Sequence, residues 1–96
     1  MQPTVGRIVH YQLSAADAEQ INRRRPDGSR GVDGSGAVVH VGNHAAEGQV
    51  CAAVVVRTFD APYANLQVLL DGNDTYWATS RGEGEGPGQW CWPPRV

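Results

Sequence analysis

The chain has no lysine: all eight of its basic residues are arginine, a pattern we read as coding bias rather than chemistry. Against ten acidic residues they leave a formal net charge of -2. That balance lacks the basic excess of a general nucleic-acid binder, so nucleic acid is not the expected partner. Cysteine is scarce, with only Cys51 and Cys91. One pair cannot make the disulfide framework of a small secreted domain. Cys51 sits in an apolar run and reads as a buried thiol, Cys91 as a partly exposed one, and whether they pair stays open. No apolar run reaches the ~18 residues of a membrane span. Residues 1–20 lack the basic start and unbroken apolar stretch of a signal peptide. No membrane partner is expected.

Catalytic signatures are also scarce. There is no C-x-x-C, no helical H-x-x-x-H and no G-x-S-x-G. His10, His40 and His44 therefore read as hydrogen-bonding or solvated groups, and no metal, cofactor or enzymatic activity is expected. Asp71 and Asp74 read as turn formers whose side chains bond nearby amides, and Glu83 and Glu85 as solvated loop residues. The stretch GEGEGPG at 82–88 lacks the Lys-Ser/Thr and helix of a phosphate cradle and reads as a flexible connector or contact loop.

What remains is one small domain, 1–96, with 41% hydrophobic residues. A core of that size leaves about 5–10 kcal/mol of net stability. Residues 4–13 have strand character, with Val5, Arg7, Val9 and Tyr11 on one face, and a bend or bulge is expected at Gly6. Ser14 then reads as a helix N-cap with Asp17 as its capping-box partner. The helix runs over 15–25, with Leu13, Ala16, Ala18 and Ile21 as its apolar side. Pro26 stops it, and 26–36 forms a flexible glycine-rich loop. A short apolar run follows at 37–41. Residues 49–59 are the strongest strand, apolar on both faces from Val50 to Val56, which predicts cover on both sides. Residues 65–70 and 75–80 form a hairpin about Asp71-Gly72-Asn73-Asp74, where Gly and Asn tolerate positive φ. Residues 89–92 return as a final extended segment, with Trp90 or Trp92 plugging the core. About five short strands and one short helix after the first strand predict a mainly β fold, a small SH3-like (or OB-like) barrel.

The segments VGRIVHY, SAADAEQINRRR, AAVVVRTF, NLQVLLDGNDTYWATS and GEGPGQWCWPPR occur in an order that resembles a family of small proteins of tailed phages and prophages, especially those of actinobacteria. The resemblance spans most of the chain outside 26–36. Such relatives often carry His between the two Trp residues of the final block, where this chain has Cys91. The resemblance implies a protein made in the host bacterial cytoplasm, where a disulfide is disfavoured, and carried in the virion. The expected function is that of a non-enzymatic virion accessory, a decoration or cement protein on the assembled head. Its partners would be the phage major capsid protein or other virion proteins, and homo-oligomers would be natural. The alternatives are an intracellular nucleic-acid-binding or regulatory protein, or a low-copy head–tail or tail accessory.

Two groups are candidates for partner binding. Trp90 and Trp92 share a face of an extended segment, so one can fill the core while the other lies at the rim, or both can meet a partner. Arg23, Arg24 and Arg25, with Arg30 beyond them, form the basic cluster. The helix dipole already accounts for three of these as a solvated helix end.

Overall fold

A computed structural model describes residues 2–25 and 41–94. The glycine-rich loop 26–36, Arg30, His40 and most of the apolar run 37–41 lie outside the described residues. The protein is mainly β, with five strands and one helix. They are β1 (Ile8–Gln12), α1 (Ala15–Arg24), β2 (Val50–Thr58), β3 (Ala64–Leu69), β4 (Thr75–Arg81) and β5 (Trp90–Cys91). The sheet order is β4-β3-β2-β1-β5, and every pairing is antiparallel. β2, β3 and β4 are consecutive neighbours, a meander, while β5 returns to pair with β1.

The sheet curls and closes on itself. Register shifts between Val55 and Arg57 on β2, and between Ala64 and Leu66 on β3, bend the strands. After β4 the chain runs parallel to β5: Trp90 N–H donates to the Gly82 carbonyl at 3.1 Å, and Gly84 N–H to the Trp90 carbonyl at 2.9 Å. β5 is therefore flanked by β1 on one side and by 82–84 on the other, which gives a small SH3-like barrel. The 82–88 segment, expected as a connector, is the closing strap. Gly88 N–H also ties it to the Gln12 carbonyl at 2.7 Å.

β1 begins four residues later than expected because Gly6, at φ 92°, turns the chain just before it. The expected bend is there, and only a glycine adopts that conformation without strain. Ser14 caps α1: its Oγ accepts from Asp17 N–H at 3.1 Å, and Asp17 Oδ2 accepts from Ser14 N–H at 3.0 Å. Leu13, Ala18 and Ile21 are buried as expected, whereas Ala16 faces solvent. α1 packs against inward-facing side chains of the barrel, where Val9, Tyr11, Val55, Leu66, Val68 and Trp90 form the core.

Two expectations are corrected here. Among the described residues, β2 is covered on one face only. Cys51, Ala53 and Val55 point inward, but Val50, Ala52 and Val56 are exposed, since the described helix α1 packs on the inner side. Gly72 is needed in the β3–β4 turn for a close approach rather than for a positive φ. A Cβ there would lie 2.5 Å from the Val41 carbonyl oxygen, and one on Gly42 would lie 2.5 Å from that of Asp71.

Candidate protein-docking surface

The polar interior is built around one buried carboxylate. Asp17, buried on α1, accepts hydrogen bonds from the Tyr11 and Tyr76 hydroxyls, the Ser14 amide and the Arg81 guanidinium. Burial pushes its carboxyl up, but these donors outweigh burial and hold it below the usual carboxylate range. Burial, and then the bond to Asp17, raise the Tyr11 phenol well above its ordinary value. A perturbed buried carboxylate can mark an active site. Here its oxygens are already occupied by protein donors and it is sealed from solvent, so the cluster joins helix to barrel.

The arginines of the sequence cluster sit beside a second carboxylate. Arg24 and Arg25 both reach Asp74, at 3.0 and 2.7 Å. Arg24 also donates to the Thr75 carbonyl at 3.1 Å and lies over the Tyr76 ring. The Asp74 and Arg25 side chains are almost wholly buried. Asp74 is therefore a clasp between helix end and hairpin, not a local turn former. Asp71 likewise accepts from the Asn43 side chain at 2.9 Å. Arg23 remains exposed, paired with Glu19 one helical turn back. The basic cluster is thus largely spent on internal ion pairs.

The two tryptophans divide their roles. Trp90 has no exposed surface, and its indole N–H donates to the carbonyls of Pro62 and Arg81 at 3.0 and 3.1 Å. It is the core plug and has nothing to offer a partner directly. Trp92 packs edge-on against it, with centroids 5.5 Å apart, and stays partly exposed at the rim. The Arg7 guanidinium lies over Trp92 at 5.1 Å. At the same end of the barrel, Arg57 lies over Phe59 at 5.0 Å, and Phe59 and Tyr63 are exposed at the tip of the β2–β3 hairpin. The Phe59 amide bonds the Tyr63 carbonyl at 3.1 Å, so both rings share one turn. Val5, also exposed, precedes Gly6, whose N–H is held on the Val55 carbonyl.

The result is a rim of Trp92, Arg7, Phe59, Arg57 and Tyr63 around one end of the barrel. Arg, Trp and Tyr are the residue types most enriched at binding hot spots. The rim and the Arg24–Arg25 clasp lie at opposite ends of the strands, so the structure does not unite the two sequence candidates. Sequence reasoning missed Arg7, Arg57, Phe59 and Tyr63. The available signal was Arg57-Thr58-Phe59, whose alternation puts cation and ring on one side of a strand.

His10 and Cys91 are cross-strand partners and line a shallow depression of about 200 Å³ with Gln12, Val50, Glu85 and Gln89. Cys51 points into the core, away from Cys91, and both thiols are free. Among the described residues, no three His, Cys, Asp or Glu side chains are arranged to hold a metal ion, and no helix is long and apolar enough to cross a membrane. No family model, curated protein or solved structure matches the chain.

Proposed function

We propose that the protein is a non-enzymatic accessory of a phage virion, docking through the aromatic–arginine rim onto the assembled head as a decoration or cement protein. The observation that carries this reading is the rim itself. Two arginine–aromatic stacks and an exposed tyrosine are gathered at one end of a rigid barrel. Stacked guanidinium and indole groups bury large area while losing little side-chain entropy. The phage context comes from the resemblance of the sequence segments to small tailed-phage proteins. The enclosed Asp17 cluster supports a role without catalysis, since its polar groups are used up in holding the fold.

Docking at many equivalent positions on a symmetric shell makes a weak single contact sufficient, because linked sites multiply the effect. Each rim would set Trp92 and Phe59 against apolar surface of the major capsid protein and present Arg57 to its carboxylates. The direct test is co-sedimentation of purified protein with phage heads that lack it. Trp92→Ala and Phe59→Ala are each expected to weaken binding by about tenfold or more, the scale of a hot-spot residue. Undiminished binding by both variants, with the fold intact, would rule out the rim as the docking surface.

A further inference from the structure

Tyr11 and Trp90 face each other across β1 and β5, and both are wholly buried. Alternation therefore turns the next facing pair, His10 and Cys91, to the outer face of the barrel together. Side chains paired in this way stand about 5 Å apart at Cβ, a gap that an imidazole spans. Gln12 and Gln89 flank them along the same two segments, joined by the Gln12 N–H on the Gln89 carbonyl at 3.1 Å. The strap forms the wall beyond. Gln12 Nε2 donates to the Glu85 carbonyl at 3.2 Å, and Gly86 N–H donates to Gln89 Oε1 at 2.9 Å. The strap lies this close because residue 84 is glycine: a Cβ there would fall 2.4 Å from the Gln89 side chain. The depression so formed, of about 200 Å³, is lined by both the Cys91 thiol and the His10 ring.

We infer that Cys91 and His10 form a thiol–imidazole pair that captures a small amine-bearing disulfide as a mixed disulfide on Cys91. Three observations select this chemistry. The depression is smaller than the ~300–1,000 Å³ of pockets that hold a ligand by contact alone, so residence rests on the bond to sulfur. A metal ion is not the fitting occupant, because no third His, Cys, Asp or Glu among the described residues is arranged with this pair to hold one. Glu85 is the one lining side chain of fixed charge, and its carboxylate favours an amine on the incoming molecule. In the reaction His10 takes the Cys91 proton and the Cys91 sulfur attacks one sulfur of the disulfide. The new S–S bond forms, the old one breaks, and the leaving thiolate takes the proton from His10. One thiol and one disulfide thus become one mixed disulfide and one small thiol. Cys51 has no such role. It is buried in the core, and burial pushes its thiol up, away from the reactive thiolate. The rim takes no part in this step, so the inference stands apart from head docking.

The test is the rate of adduct formation on the full, folded chain with cystamine as the probe, read by intact-mass spectrometry and peptide mapping at pH 7. The expected result is one adduct, on Cys91, reversed by dithiothreitol, with Cys51 unmodified. His10→Ala separates assistance from mere access. Removing the ring uncovers the half-buried thiol, so access alone predicts a faster reaction, whereas loss of the base predicts one at least fivefold slower. The pair also predicts that added imidazole restores part of the rate in His10→Ala. Should that variant fail to fold by circular dichroism, His10→Gln keeps a polar side chain without a base and is expected to show the same slowing. The preference for cystamine over oxidised glutathione is expected to fall in Glu85→Gln, whose side chain is exposed. No adduct on the native chain, equal labelling of both thiols, or an undiminished rate without the imidazole overturns the inference. A preference unchanged in Glu85→Gln overturns the choice of an amine-bearing ligand.

Discussion

The Tyr11 hydroxyl of β1 donates to the Asp17 carboxylate of α1, and through that carboxylate the helix is tied to both sides of the barrel. Tyr76 and Arg81 of β4 bond the other oxygen, each at 3.0 Å. The same side chain closes the capping box, so one residue serves both helix start and tertiary packing. Asp17→Ala is expected to lower stability by about 2–4 kcal/mol, since it removes a cap and leaves the buried Tyr11 hydroxyl and the partly buried Arg81 charge without their partner. Urea denaturation followed by circular dichroism reads this loss. A change below about 1 kcal/mol would mean that the cluster does not hold the helix.

The same cluster sets the pH range of stability. The folded carboxyl of Asp17 is depressed, so its contribution is complete above the unfolded value of about 4 and is lost as pH falls through the folded one. The Tyr11 phenol is raised, so its contribution is complete below about 10 and is lost as pH rises beyond that. Stability should therefore be flat near neutrality and fall at both extremes. In Tyr11→Phe the alkaline fall is expected to shrink. Thermal melts from pH 2 to pH 11 would show it.

Gly42 and Gly72 press backbone to backbone, with Asn43 N–H on the Asp71 carbonyl and Asn73 N–H on the Val41 carbonyl, both at 2.8 Å. A methyl group on either glycine meets backbone and the Arg25 guanidinium, neither of which can yield without opening the clasp. Gly72→Ala is expected to cost about 1–3 kcal/mol, the usual penalty of overpacking. Amide exchange at Asn43 and Asn73 should accelerate more than exchange in β1. Uniform acceleration would mean that the clasp is not a separate unit.

The three adjacent arginines should behave very differently. Arg23→Ala removes an exposed pair with Glu19 and is expected to change stability by less than about 0.5 kcal/mol. Arg25→Ala removes the Arg25 cation from the buried Asp74 and is expected to cost about 2–4 kcal/mol. Equal effects on chemical denaturation would contradict the clasp.

Much of the fold was legible in the sequence because local rules decided it. Ser14 and Asp17 announce the capping box, the alternation of Leu66 and Val68 sets the inner face of β3, and Gly6 marks the bend before β1. What sequence could not supply was the choice among long-range partners. Asp74 looks like any turn aspartate until Arg24 and Arg25 fold onto it from across the chain. Trp77 and Trp90 are equally apolar, and only the closing of the barrel by 82–84 decides which is buried. The rim shows the same limit: Trp92 was visible as a candidate, but Arg7, Arg57, Phe59 and Tyr63 join it only once β1, β2 and β5 are side by side.

The proposed coating of a phage head by this protein is tested most directly by its copy number in purified virions. Quantitative mass spectrometry against the major capsid protein is expected to find it in hundreds of copies, in a fixed ratio to the capsid lattice. A handful of copies would place it at the connector or tail, and absence from the particle would contradict the account outright.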